Sequence, residues 1–263
     1  MTQTRIAIHG AAGRMGRRLI ALASADSELA VVAALESAGH PRLGEDAGGL
    51  AGIGSTGVPL ASTLDTGIDV LVDFSVPEAT EAIVEVCRDK RIPLVSATTG
   101  LDEKQTAKLQ AAAEQIPVLW APNMSLAVNL TMKLSEIAAK ALQDKDADVE
   151  ILERHHRFKE DAPSGTALKF GRIIAGAMGQ TAHRHGREGR PGKRPHEEIG
   201  YHAIRVGDDP GQHTVVFAMP GETVELTVRA TNRDCYAQGA LAAAKFLAGK
   251  PPGTYAMADV LGL

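Results

Sequence analysis

The sequence predicts an α/β fold: a Rossmann-type parallel-sheet domain joined to an α+β domain with an open mixed sheet. Three observations carry this. Short, continuously apolar runs alternate with helical stretches through the first half, as happens when helices cover both faces of a parallel sheet. The first run ends in a glycine-rich turn, Gly10-Ala-Ala-Gly13-Arg-Met-Gly16. The second half replaces the alternation with three successive strand-like runs that have little helix between them.

In chain order, a strand over 5–9 enters the glycine-rich turn, and a helix over 13–24 leaves it. A second strand over 30–35 ends at Glu36. Residues 38–59 carry seven glycines and few large side chains, which predicts a loop-rich insertion. Strands over 70–73, 93–96 and 117–120 follow, separated by helices over 77–90 and 102–113. Pro77 suits a first helical turn, with Ser75 near the N-cap. A long helix over 125–142 precedes a strand over 147–155, a polar loop and a helix over 164–178. A basic, Gly/Pro-rich loop over 184–196 leads to strands over 199–205, 213–219 and 223–230. In the last of these Val224, Leu226 and Val228 alternate with Glu225, Thr227 and Arg229, so one face of the sheet needs cover and a homo-oligomer is expected. An alanine-rich helix over 236–248, stopped by Gly249 and Pro251-Pro252, is expected to return to the first domain. The expected division is 1–128 with 232–263 for dinucleotide binding, and 129–231 for substrate binding and oligomerisation.

The 263 residues, 44% hydrophobic and 23% charged, suffice for one or two cored domains. Lys and Arg total 28 against 32 Asp and Glu, a net charge of −4, which disfavours a nucleic-acid binder. The loop over 184–196 has five Arg/Lys residues but no interleaved aromatics. A loop over an anionic substrate or cofactor accounts for its charge more simply than nucleic acid does. No apolar run approaches the ~20 residues that span a bilayer, and no signal-peptide pattern opens the chain. Cys87 and Cys235 make neither a disulfide framework nor a metal-ligand spacing. The expectation is a cytoplasmic protein with no metal, membrane or nucleic-acid partner.

Glycines in a strand-to-helix turn let the backbone approach a pyrophosphate, which then faces the positive end of the helix. Glu36 lies 20 residues beyond Gly16, where a carboxylate meets the adenosine ribose. Ser37 follows it in place of an arginine that would pair with a 2′-phosphate, which tilts the reading toward NADH; His40 or Arg42 could swing in. Ala97-Thr98-Thr99-Gly100 and Ala121-Pro122-Asn123-Met124 follow later strands, at the carboxyl ends where open α/β sheets bind ligands. Their Thr and Asn side chains offer the neutral hydrogen bonds a nicotinamide carboxamide needs.

The densest chemistry lies between Glu150 and Ala167. Strand alternation puts Val149, Ile151, Glu153 and His155 on one face, so an acid and a histidine emerge together at a strand end. Lys159 follows, and Ser164-Gly165-Thr166 opens a helix that can bind an anion. Such a pocket would hold carboxylates and supply protons. The adjacent pair His155-His156 points apart on a strand, so a metal site is disfavoured. Seven of the nine histidines fall between His155 and His213.

This segment resembles the signature of the dihydrodipicolinate reductase family through Glu150, Glu153, His155, Lys159, Asp161 and Pro163-Ser-Gly-Thr-Ala167. The cofactor turn, Asp73-Phe74, Thr98-Thr-Gly100, Pro122-Asn123, Arg187-Glu-Gly189, Arg205, Gly207-Asp208 and His213-Thr214 match as well. The resemblance implies reduction of 4-hydroxy-tetrahydrodipicolinate to tetrahydrodipicolinate with NADH or NADPH, on the route to diaminopimelate and lysine. It implies His155 as proton donor and Lys159 as the second catalytic cation, with His156, Gly165 and Thr166 binding the carboxylates of a small cyclic dicarboxylate. It further implies a cofactor lined by Gly10, Ala11, Ala12, Gly13, Arg14, Met15, Glu36, Ala97, Thr98, Thr99, Ala121, Pro122, Asn123 and Met124, and a homotetramer joined through the C-terminal sheet. Ser37 departs from members that carry Arg there, which bears on NADPH affinity. The competing readings are another two-domain dehydrogenase, such as an aspartate dehydrogenase-like enzyme, and a nucleotide-sensing regulator with a dead catalytic domain.

Overall fold

A computed structural model describes residues 3–263; Met1 and Thr2, with which the expected first domain begins, lie outside the described residues. The chain forms two compact units. One runs to Leu126 and resumes over Asp234–Leu263; the other is Ala127–Arg233.

The first unit contains β1 (Thr4–His9), α1 (Arg14–Ser24), β2 (Leu29–Leu35), α2 (Ala47–Ala51), β3 (Leu60–Ala61), β4 (Val70–Asp73), α3 (Pro77–Lys90), β5 (Leu94–Ser96), α4 (Glu103–Ala112) and β6 (Pro117–Trp120). After the second unit it adds α7 (Asp234–Leu247), β12 (Gly253–Tyr255) and α8 (Met257–Val260). The seven strands are all parallel in the order β12-β6-β5-β4-β1-β2-β3. Alternation along each strand divides its side chains between two cores. Ile6, Ile8, Val70, Val72, Val95 and Leu119 pack beneath helices α1 and α7. Ala7, Leu71, Leu94 and Val118 face the opposite core, which Ile83, Val84 and Leu109 of α3 and α4 complete. Both faces being covered, the strands read as unbroken apolar runs. The strand order reverses between β1 and β4, so the switch point lies beside the glycine-rich turn.

Local chemistry sets the helix ends. Pro77 opens α3, and Asp102 with Gln105 makes a capping box on α4. The N-cap of α3 is Val76; Ser75 instead turns its hydroxyl onto Asp73. The glycine-rich insertion holds more structure than its composition suggests. The Asp46 carboxylate accepts from the amides of Gly49, Thr56 and Gly57 and from the Ser55 hydroxyl, which folds the segment around α2 and lowers the Asp46 pKa.

The second unit comprises most of α5 (Leu126–Leu142), then β7 (Asp148–His155), α6 (Gly165–Met178), β8 (Ala182–His185), β9 (Glu198–Arg205), β10 (Gln212–Met219) and β11 (Glu222–Arg229). Its mixed sheet runs β11-β10-β7-β9-β8, antiparallel from β11 to β7 and parallel from β7 to β8. Val149, Ile151, Val215 and Phe217 pack with Phe170 and Ile174 of α6 and Met132 of α5. Strand β7 is central. Its buried face continues from Val149 and Ile151 into Glu153 and His155, so the hydrophobic stripe ends in an acid and an imidazole. The start of the basic loop forms the edge strand β8, which its His-Arg-His sequence conceals.

Candidate active site

In the first unit, the turn after β1 is shaped by backbone contacts. Gly10 has φ of 75°, and a Cβ there would lie 2.5 Å from the Phe74 carbonyl oxygen. A Cβ on Gly16 would lie 2.2 Å from the Gly10 carbonyl oxygen. Only glycine allows β1, β4 and the start of α1 to approach this closely. The N-cap of α1 is Gly13, and no side chain caps the helix, so its first turn keeps its positive end for an anion. The Glu36 carboxylate accepts from the Ala12 amide at 3.2 Å and the Ser37 amide at 3.0 Å, placing it at the lip of the turn. Ala11 is buried in the core and reaches the turn with its backbone alone. Arg14 and Thr99 are exposed, whereas the Met124 side chain is buried. The Asn123 side chain accepts from the Ser125 amide at 3.0 Å.

Asp73, at the end of β4, is fully buried. It accepts from the hydroxyls of Ser75 (2.6 Å), Thr80 (2.7 Å), Ser96 (2.9 Å) and Thr98 (3.0 Å) and pairs with His9 Nδ1 at 2.9 Å. Although burial opposes the charge, the His9 bond and the hydroxyls hold its pKa below the ordinary value. The network knits together the ends of β1, β4 and β5. It also consumes the Thr98 hydroxyl, so Thr98 does not offer the free side-chain donor its residue type suggests. The Thr98 carbonyl meanwhile accepts from Trp120 Nε1 at 3.0 Å.

In the second unit, the strand end gathers the chemistry. Glu153 is 2% exposed. One of its oxygens pairs with His155 Nδ1 at 2.6 Å and with Arg205 at 2.8 Å; the other accepts from Arg205 at 2.8 Å and from the Ser164 amide at 3.0 Å. Burial works against this carboxylate, but the bonds from His155 and Arg205 hold its pKa at about 2. Arg205 also donates to the backbone oxygens of Lys159 and Asp161. His213 stands edge-on to His155 at 5.2 Å, and its Nε2 shares a hydrogen bond of 2.9 Å with the Ser164 hydroxyl. Burial and the neighbouring His155 push His213 down to about 4, so it is neutral near pH 7. Ser164 caps α6 by accepting from the Ala167 amide, and Gly165 and Thr166 form its first turn. Lys159 pairs with the exposed Asp161 at 2.7 Å. The His156 Nδ1 atom is buried with no hydrogen-bond partner. The fold therefore brings His155, His156, Lys159, Gly165 and Thr166 into one short stretch around the end of β7.

Three contributors have no assigned part in the sequence reading: Arg205, His213 and Gly211, where a Cβ would lie 2.8 Å from His155 Nε2. The usable signal was Glu153. A carboxylate on the buried face of a central strand demands cationic or amide partners. The basic loop also differs from expectation. Arg187 binds Glu150 and Glu198, while Arg194 binds Glu150 and Asp148. Two of its five basic side chains are thus neutralised within the fold. Among the described residues no group of three or more His, Cys, Asp or Glu side chains could hold a metal ion.

A dinucleotide-type turn at the switch point of one unit and a Glu/His/Lys site in the other define a two-domain nicotinamide-dependent oxidoreductase. Family models for the dihydrodipicolinate reductase N-terminus and C-terminus match residues 4–124 and 127–261. The 4-hydroxy-tetrahydrodipicolinate reductase of Rhodopirellula baltica is 56% identical, covering 98% of this chain and 96% of the relative. The same-named protein of Alkalilimnicola ehrlichii is 50% identical, covering 99% of each. The solved structure of a dipicolinate-bound dihydrodipicolinate reductase from Paenisporosarcina sp. TG-14 shares the fold. Its TM-score is 0.79 at 24% identity, with 97% of this chain and 98% of that chain covered. The chain belongs to the dihydrodipicolinate reductase family, and it is an NAD(P)H-dependent oxidoreductase.

Proposed function

We propose that the chain reduces 4-hydroxy-tetrahydrodipicolinate to tetrahydrodipicolinate with NADH or NADPH, in diaminopimelate and lysine biosynthesis, and that His155 donates the proton. Identity above half over nearly the whole length favours this activity over an aspartate dehydrogenase-like one.

The first unit fits a dinucleotide. Its turn is drawn tight by Gly10 and Gly16, where a Cβ would strike backbone, and it opens on a helix with no side-chain cap. The backbone of Gly10, Ala11, Ala12, Gly13, Arg14 and Met15 would hold the pyrophosphate, and Glu36 the adenosine ribose. The segments Ala97, Thr98, Thr99 and Ala121, Pro122, Asn123, Met124 would line the nicotinamide end, Thr98 through its backbone. When bound, the reduced nicotinamide would supply a hydride to the conjugated imine that forms once the 4-hydroxyl leaves as water.

The protein must then bind a dianion and supply a proton. The observation that carries the reading is His155, 8% exposed, bonded at Nδ1 to a buried carboxylate and followed four residues later by Lys159. A hydrogen bond at Nδ1 fixes the ring's orientation, and a positioned imidazole contributes about 10² to 10⁴ in rate as a general acid. Lys159 would exchange its exposed partner Asp161 for a substrate carboxylate. The unpartnered His156 Nδ1 and the first turn of α6 at Gly165 and Thr166 would hold the remaining acidic oxygens.

His155→Gln tests the assignment. Turnover should fall at least about a hundredfold, with NADH affinity by fluorescence titration unchanged. Turnover close to wild type in the folded variant would overturn the role of His155.

The outer face of the second sheet carries the exposed apolar side chains Leu152 and Ile204 beside Val216. An apolar sheet face of this kind calls for cover, and a homotetramer joined through it supplies that cover. Among the described residues no helix is long and apolar enough to cross a membrane. Cys87 and Cys235 form no disulfide, in keeping with a cytoplasmic location.

A further inference from the structure

We propose that Glu153 is the positioning residue for the proton transfer, fixing one proton on Nδ1 of His155 and so making Nε2 the atom that gives a proton to the substrate. The inference rests on the role proposed for His155, and it concerns which of the two ring nitrogens acts and over what pH range.

The geometry leaves Glu153 little freedom. Its carboxylate is 2% exposed and is gripped from three directions. Arg205 of β9 donates to both oxygens at 2.8 Å, the Ser164 amide at the start of α6 donates at 3.0 Å, and His155 lies at 2.6 Å. An ionised carboxylate only accepts hydrogen bonds. The nitrogen facing it must therefore carry hydrogen in the neutral ring as well as in the imidazolium. When the imidazolium gives up a proton, that proton leaves Nε2. The ring that remains is neutral and still bonded through Nδ1–H to Glu153, ready to recover a proton at Nε2 from water.

The groups facing the imidazole favour this assignment. Beyond Glu153, they are Arg205 from β9, bonded to the same carboxylate oxygen, His213 from β10, edge-on at 5.2 Å, and Gly211 against Nε2. Arg205 carries only donors and His213 Nε2 is engaged by the Ser164 hydroxyl, so Glu153 is the acceptor at Nδ1. Among the described residues Glu153 is the carboxylate bonded to the imidazole, so its charge is the one that bears on the ring. Arg205 adds a second consequence. The guanidinium that clamps Glu153 also holds the backbone oxygens of Lys159 and Asp161, so one buried ion pair places both candidate catalytic cations.

The test is Glu153→Gln in the full chain, read by the pH profile of kcat/KM and by NADH titration. Without the carboxylate the charged ring loses its counter-charge. The alkaline limb should therefore move to lower pH by at least about one unit, while NADH affinity holds and Glu153→Asp restores part of the shift. A uniform loss at every pH, with the limb unmoved, would reduce Glu153 to a structural residue and overturn the proposal. A second measurement avoids dependence on that variant folding. In ¹⁵N imidazole NMR of the wild-type protein, the His155 signal is assigned by its absence from His155→Gln. Its neutral form should carry hydrogen on Nδ1, and hydrogen on Nε2 instead would refute the proposal. If His155→Gln kept full turnover, the role of His155 would fail while the NMR still reported on Glu153, so the two failures are distinguishable.

Discussion

Gly211→Ala should disable the site without touching any charged group. Gly211 has φ of 144°, and a Cβ there would lie 2.8 Å from His155 Nε2 and 3.2 Å from its Cδ2. Ordinary contact begins near 3.4 Å, so the ring must retreat by about 0.6 Å. Its retreat is resisted at both ends: Nδ1 is tied to Glu153 at 2.6 Å, and His213 stands edge-on at 5.2 Å. A misplacement of 1 Å at a reacting group costs on the order of a hundredfold in rate. A displacement of this size predicts a fall in kcat of about tenfold to a hundredfold, equivalent to roughly 1.4 to 2.7 kcal/mol of transition-state stabilisation. Alanine at this φ also strains the backbone by about 1–3 kcal/mol, so the melting temperature should drop too. Gly221→Ala separates the two effects. That residue has φ of 88° and open space where its Cβ would stand, so it should lose stability and keep its rate. Steady-state turnover at saturating NADH and substrate, with a thermal melt of each variant, decides the matter. If Gly211→Ala turned over at the wild-type rate, the contact would not position the imidazole and the reasoning would be refuted.

His213 makes acid stability a second test. Burial lowers its pKa from 6.5 to about 4, so the unfolded chain takes up a proton first as pH falls. Stability should decline between pH 6.5 and pH 4 by up to about 3 kcal/mol from this group, and His213→Gln should flatten that segment of a urea-midpoint series; an unchanged slope would show that His213 is not buried neutral. For the homotetramer, sedimentation equilibrium should return four chain masses for wild type and a smaller species for Leu152→Lys, which puts a charge on the apolar outer face. A single-chain mass for wild type would rule out the assembly.

How much of this was legible in the sequence depends on the range of the interaction. The parallel sheet was legible because each strand repeats the same local solution, an apolar run buried on both faces, and the turn after β1 because its glycines adjoin in sequence. Strand β8 was not. Its His-Arg-His segment is mostly exposed at the sheet edge, where no apolar alternation is required. Nor was the disposition of Asp46, which orders a segment whose composition suggests only loop.

The candidate site shows the same division more sharply. Glu150 and Glu153 are three residues apart on one strand, and the period of two puts them on opposite faces. That much is local, and it explains why one acid stands beside His155 and the other does not. Their partners are set by register. Parallel pairing of β7 with β9 aligns His155 with Arg205, so the guanidinium can reach back to Glu153. Antiparallel pairing with β10 aligns Glu153 with His213, which carries the second imidazole to the first. On the other face, Glu150 is left to Arg187, Arg194 and His202. Two chemically similar acids in one motif thus become one candidate proton-transfer site and one structural clamp. What supplies their partners is the two strand registers, and each register is a sum of contacts spread along whole strands rather than a property of any residue in the motif.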